Sequence, residues 1–139
     1  PVSLDTEFLN RTFTRIDQSI AMSALFAAHH LNVKAIVALT QSGSTALWMS
    51  RLNCGVPIYA LTPEEGSRRR VALFRDVTPL STEYHETTER DKLLAVAETT
   101  LLEAGVVTQG DLIVLTFGEP IGKSGGTNTL KIVRVGEQV

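Results

Sequence analysis

Four hydroxyl side chains and one glycine lie within six consecutive residues, Thr40 to Thr45. An apolar run, residues 34–39, precedes them, and a segment of helical composition follows, so the order is strand, short polar turn, helix. This turn gathers hydroxyls and the first N–H groups of a helix at the positive end of the helix dipole, which suits a phosphate. The alternative is that a serine of the turn only caps the helix. The candidate phosphate ligands are Thr40, Ser42, Gly43, Ser44 and Thr45.

A second polar loop, residues 118–128, follows the apolar run 112–117 and is rich in glycine. Its spacing from Gly118 to Gly122-Lys123 is one residue short of a P-loop, and a strand follows where a P-loop requires a helix. We therefore reject a nucleoside-triphosphatase site. Lys123 and the backbone N–H groups could close over an anion, and an ordinary hairpin connection is the open alternative. The candidate lid residues are Gly122, Lys123, Ser124, Gly125 and Gly126.

The elements that must position these loops alternate along the chain. Helices are predicted over residues 14–31, 44–53, 63–75 and 88–104, with Thr62 and Glu65 forming a capping box at the third. Strands are predicted over residues 34–40, 58–61, 77–80, 112–117 and 130–135. The pattern indicates an α/β domain with a mainly parallel sheet, whose last two strands are antiparallel because no crossover helix fits between them. Both polar loops then leave strands at the carboxyl edge of the sheet, where ligands bind in such folds.

Composition excludes several function classes. The 139 residues suffice for one domain, spanning 1–139 with residues 1–10 as an extension or linker. The net charge of −2 provides no basic excess for nucleic acid or a membrane surface, and no apolar stretch is long enough to span a membrane. Cys54 is the only cysteine, so no internal disulfide can form, which predicts a reducing, cytoplasmic compartment.

No catalytic or metal-binding constellation is visible in the sequence. His29 and His30 are adjacent on a helix and point to different faces, which is poor spacing for metal ligands. No serine has the flanking residues of a nucleophile elbow. The three arginines 68–70 form either a solvated helix face or a contact with an effector or another subunit.

Several segments resemble the C-terminal domain of pyruvate kinase, over a range from about residue 10 to Val135. These segments are Arg15-Ile16-Asp17-Gln18-Ser19-Ile20-Ala21, residues 33–46 with the order Thr-x-Ser-Gly-x-Thr-Ala, Ser50-Arg51, Gly55-Val56-Pro57-Ile58 and Gly126-Thr127-Asn128-Thr129.

The resemblance implies a three-layer α/β/α domain with a five-stranded mixed sheet, its last strand antiparallel. It also implies regulation rather than catalysis: a phosphorylated effector, a sugar phosphate or nucleotide monophosphate, binds residues 40–45 under the lid residues 122–126. The family's partner is a catalytic barrel that converts phosphoenolpyruvate and ADP with Mg²⁺ and K⁺. This chain contains no residues matching that barrel, so it is predicted to be inactive alone and to need no cofactor. The resemblance further implies homo-oligomers that contact each other through residues 129–135.

Two departures from the family bear on the ligand. Gln41 is neutral, and Lys123 is the single basic residue of the lid, which favours a monophosphate over a bisphosphate. The alternative function is a free-standing phosphometabolite-binding module, or a small phosphatase-like enzyme of the same fold, because a fold does not fix a function.

Overall fold

The computed structural model describes residues 15–52, 55–82, 89–118 and 126–137. The helices are α1 (Ile16–Leu31), α2 (Ser44–Arg51), α3 (Glu65–Val71) and α4 (Arg90–Glu103). The strands are β1 (Ala35–Leu39), β2 (Ile58–Thr62), β3 (Val77–Ser81), β4 (Leu112–Phe117) and β5 (Thr129–Arg134). No helix within these ranges is long and apolar enough to cross a membrane.

The five strands form one mixed sheet in the order β3-β2-β1-β4-β5. β1 pairs in parallel with β2 and with β4, and β2 pairs in parallel with β3. β5 runs antiparallel to β4, with Thr116 opposite Leu130. These pairings confirm the predicted α/β fold with an antiparallel last strand.

Helices cover both faces of the sheet, so the fold has three layers. On one face, α1, α2 and α3 pack over side chains of β1, β2 and β4, and on the other α4 packs over the alternate side chains of the same strands. All five residues of β1 are buried, as expected of a central parallel strand covered on both faces. The largest fully buried side chains are Phe117, Leu25, Ile36, Met49, Ile58, Leu61, Leu93, Leu94, Leu101, Ile113, Leu115 and Val37.

The predicted limits of α3 are wrong at both ends. Its N-cap is Glu64, with no side-chain cap, so the capping box of Thr62 and Glu65 does not form. The hydroxyl of Thr62 instead accepts the N–H of Glu64 at 3.1 Å and contacts the carbonyl of Gln41 at 3.4 Å. The helix ends at Val71 rather than near residue 75 because the chain tightens into consecutive turns, which lead to Asp76 at a φ of 63°.

Candidate functional site

The sheet changes direction at β1. The chain passes from β1 outward to β2 and β3 on one side, and then returns to place β4 on the other side of β1. The carboxyl ends of β1 and β4 are therefore the topological switch point, where α/β sheets open a crevice for ligands. The loop of residues 40–43 follows β1, and the loop that starts at Gly118 follows β4.

Gly43 is the N-cap of α2 and needs to be glycine for two reasons. Its φ is 87°, in the left-handed region that side chains other than glycine rarely adopt. A Cβ at this position would also lie 2.8 Å from Cγ1 of Val71, within the buried core. Neither Ser42 nor Ser44 is therefore the N-cap residue, although Oγ of Ser42 accepts the N–H of Ser44, the first residue of the helix.

The hydroxyls of the β1–α2 loop bind N–H groups of the same loop. The N–H of Gly43 donates to Oγ1 of Thr40 at 3.0 Å, and the N–H of Ser44 donates to Oγ of Ser42 at 3.3 Å. The first residues of α2 have no intrahelical partner for their N–H groups, as in any α-helix. The predicted residues Thr40, Ser42, Gly43 and Ser44 thus form one compact group of donors and hydroxyls at the start of α2.

Two carbonyl groups of the same loop accept hydrogen bonds from side chains of α3. Ser67 donates its hydroxyl to the carbonyl of Gln41, and Nη2 of Arg70 donates to the carbonyl of Ser42 at 2.9 Å. Nη2 of Arg70 also donates to Oγ of Ser67 at 3.0 Å. These bonds fix the two loop peptides by their oxygen atoms.

The three arginines of α3, residues 68–70, have three different environments. Arg68 donates to the carbonyl of Thr62 at 2.9 Å, and Arg69 forms an exposed ion pair with Glu65 at 2.7 Å. Arg70 is the one of the three that reaches the loop, and it does so within the same chain.

Asp17 also belongs to this site, although it was not among the residues predicted from the sequence. It lies in the first turn of α1, is 2% exposed, and accepts the hydroxyl of Ser44 at 3.1 Å. Arg15 donates to the same carboxylate at 2.7 Å. One sequence signal could have found it: Asp17 shares a helical face with the buried residues Ala21, Ala24 and Ala28.

Among the described residues, the second loop contacts the start of α2 through a pair of threonines. Oγ1 of Thr45 donates to Oγ1 of Thr127 at 2.8 Å, and both side chains are buried. A Cβ on Gly118 would lie 2.5 Å from the carbonyl oxygen of Gly126, so the two ends of the loop run close together. Of the predicted lid residues, Gly126 is described, whereas Gly122, Lys123, Ser124 and Gly125 lie outside the described residues.

Residues 18–133 match the family model of the α/β domain of pyruvate kinase. The chain belongs to the pyruvate kinase family. It is 36% identical over 137 residues to "Pyruvate kinase II" of Salmonella typhimurium, covering 96% of this chain and 28% of that protein. It is 43% identical over 126 residues to "Pyruvate kinase" of Staphylococcus epidermidis, covering 91% of this chain and 21% of that protein.

A third relative, "Pyruvate kinase" of Buchnera aphidicola, is 34% identical over 135 residues, which cover 96% of this chain and 28% of that protein. The chain therefore spans between about a fifth and somewhat over a quarter of the length of these relatives. It corresponds to the C-terminal domain of a pyruvate kinase.

Proposed function

We propose that this domain regulates a pyruvate kinase by binding the phosphate of a metabolite at residues 40–45. The observation that carries the proposal is the cluster at the switch point, where the hydroxyls of Thr40 and Ser42 accept the N–H groups of Gly43 and Ser44 at the start of α2. These two hydroxyls accept N–H groups that the oxygens of a bound phosphate would accept in their place. The helix dipole favours an anion at the same point.

Arg70 adds positive charge beside this cluster. Its guanidinium is exposed and bonds through Nη2 to the carbonyl of Ser42, so it lies next to the loop peptide. A planar guanidinium suits phosphate oxygens. We propose the lid, Gly122, Lys123, Ser124, Gly125 and Gly126, as the second contact, because Thr127 holds the end of that loop against α2.

The test uses Trp48, the only tryptophan of the chain, which lies on α2 directly beyond the loop. Titration with inorganic phosphate, glucose 6-phosphate, AMP and fructose 1,6-bisphosphate should change its fluorescence for at least one phosphorylated compound. Ser42→Asp should abolish the response, because a carboxylate there would accept the same N–H groups as the phosphate. Ser23→Asp, on the exposed face of α1, is the matched control and should bind as the wild type does.

Retention of binding by Ser42→Asp would place the phosphate elsewhere. Absence of binding of all four compounds to the wild type would contradict the proposal.

We further propose that copies of the domain pair through β5. Within the described part of the chain, β5 pairs with β4 alone, and Ile132 on β5 is 40% exposed. The N–H of Val135 donates to the carbonyl of Asp111. Along an antiparallel pair, every second residue bonds to the partner strand, so Val133 and Lys131 face β4 in the same way. The N–H of Ile132, between them, therefore points away from β4. A second β5, related by a two-fold axis, would bond to this free side.

Sedimentation of the wild type at high micromolar concentration should detect the dimer. Ile132→Pro should dissociate it without disturbing the β4–β5 ladder, since the lost donor points outward. Ile132→Ala keeps the donor and is the control. A wild-type domain that sediments as a monomer would exclude this contact for the isolated chain.

The names of its relatives connect the domain with a kinase reaction. We propose that in a full-length protein it accompanies the catalytic barrel, which binds phosphoenolpyruvate, ADP, Mg²⁺ and K⁺, and that the present chain alone transfers no phosphate. Pyruvate formation by the purified 139-residue chain, supplied with both ions, would contradict this.

A further inference from the structure

A buried carboxylate lies directly behind the proposed phosphate site. Asp17 is 2% exposed, and its oxygens accept the hydroxyl of Ser44 at 3.1 Å, the guanidinium of Arg15 at 2.7 Å and the N–H of Gln18 at 2.9 Å. A negative charge this close to an anion site opposes the ligand by Coulomb repulsion.

The hydrogen bonds of the loop run in one direction towards this carboxylate. An ionised carboxylate only accepts hydrogen bonds, so the proton of Ser44 must point to Oδ2 of Asp17. Oγ of Ser44 then accepts the hydroxyl of Ser42 at 3.2 Å. Both serine protons therefore point towards Asp17 and are not directed at a ligand in the crevice.

We infer that Asp17 lowers the affinity of the loop for phosphate, through its hydrogen bond with Ser44 and through its charge. Arg15 limits this effect. This inference rests on the proposed function. A phosphate at residues 40–45 competes with Asp17 for the proton of Ser44 and meets its charge as well. The side chain of Arg15 is half exposed, at 52%, and its positive charge offsets part of that repulsion.

The repulsion from Asp17 acts on every anion that occupies the site. An anion that contacts only the loop, such as inorganic phosphate, bears the full repulsion from Asp17. A phosphorylated metabolite bears the same repulsion and offsets it only through contacts of the rest of its structure, such as a contact with Arg70. A preference for one of these anions over the other would come from such added contacts, whereas Asp17 lowers the affinity for both.

The experiment measures binding of inorganic phosphate to the 139-residue chain by calorimetry. Asp17→Asn removes the charge, while the amide oxygen still accepts the hydroxyl of Ser44, so phosphate should bind about threefold to tenfold more tightly. Arg15→Gln leaves the charge of Asp17 without its counterion, so phosphate should bind about twofold to fivefold more weakly. Asp91→Asn is the matched control for a change of one charge, because Asp91 is exposed on α4. This variant should bind phosphate with the affinity of the wild type.

The dependence of phosphate affinity on salt distinguishes an effect of the charge of Asp17 from a purely structural role of this residue. If charge is the cause, the gain of Asp17→Asn should shrink as the ionic strength rises to about 0.5 M, where the Debye length is only a few ångströms. Circular dichroism establishes that each variant is folded. Arg15→Gln tests the inference independently if Asp17→Asn does not fold.

The outcomes separate this inference from the proposed function. If Ser42→Asp abolishes phosphate binding but Asp17→Asn binds like the wild type, the role of Asp17 is wrong and the phosphate site stands. Tighter binding by Arg15→Gln would also overturn the role of Asp17. If neither the wild type nor Asp17→Asn binds any phosphorylated probe, the proposed site itself is wrong.

Discussion

The two faces of β4 end differently at the carboxyl edge of the sheet. On the face covered by α4, the strand ends with Phe117, which is 1% exposed and packs in an apolar cluster. Thr116 lies on the opposite face, with Val114 and the helices α1 and α2. Its Oγ1 is buried and has no hydrogen-bond partner in the described part of the chain. The face of β4 covered by α4 is thus apolar to the end of the strand. The opposite face ends in a polar side chain next to the proposed ligand site.

The largest effect is expected on the apolar face. Phe117→Ala should lower the free energy of unfolding by about 3–5 kcal/mol, because it removes a fully buried ring from a close-packed cluster. Chemical denaturation of the variant measures this. Leu112→Ala, at the half-buried other end of β4, is the control and should cost less. A loss below about 1.5 kcal/mol for Phe117→Ala would mean that the α4 face is not tightly packed.

On the polar face, the largest effect is expected at the start of α2. Gly43→Ala should cost about 2–4 kcal/mol, since it combines the strain of a positive φ with a clash against Val71. Gly66→Ala is a matched control in α3, where a Cβ meets nothing within 4 Å, and it should stabilise the domain by about 0.5–1 kcal/mol. Equal effects of the two substitutions, measured by thermal unfolding, would refute the account of Gly43.

A smaller loss is expected from the threonine pair that joins the two loops. Thr45→Val should cost about 1–2 kcal/mol because it leaves the buried hydroxyl of Thr127 without its donor. A double-mutant cycle with Thr127→Val measures the coupling: the double variant should lose less than the sum of the single variants. Additive losses would show that the hydrogen bond contributes nothing.

The smallest effect, with the opposite sign, is expected at Thr116. Thr116→Val replaces an unpaired buried hydroxyl with a methyl group of similar shape, so the domain should be unchanged or more stable by up to about 1 kcal/mol. The same chemical change at Thr45 is its control. Destabilisation of Thr116→Val by more than about 1 kcal/mol, in the same denaturation experiment, would indicate that its hydroxyl has a partner in solution.

The fold could be predicted because its signals are local. The apolar runs of β1, β2 and β4 determine which strands are central, and the short segment after β4 leaves room only for an antiparallel return. The start of α3 was mispredicted because the hydroxyl of Thr62 contacts the carbonyl of Gln41, a tertiary contact that a capping rule does not include.

The site was predictable only in part. The group of Thr40, Ser42, Gly43 and Ser44 follows from local order along the chain. The helical face that Asp17 shares with Ala21, Ala24 and Ala28 indicates that it is buried, but its contact with Ser44, 27 residues away, requires the folded structure. The contact between Thr45 and Thr127 spans 82 residues and requires the folded sheet.

The sheet order also has a consequence for the kinetics of folding. β4 and β5 are joined by residues 118–128 alone, whereas β1 and β4 are separated along the chain by two strands and three helices. Closing the longer loop costs more entropy, so we expect the β4–β5 hairpin to form before β1 docks beside it. We further expect the pairing of β1 with β4 to be completed after the folding transition state. A ligand bound there should slow unfolding while leaving the folding rate nearly unchanged.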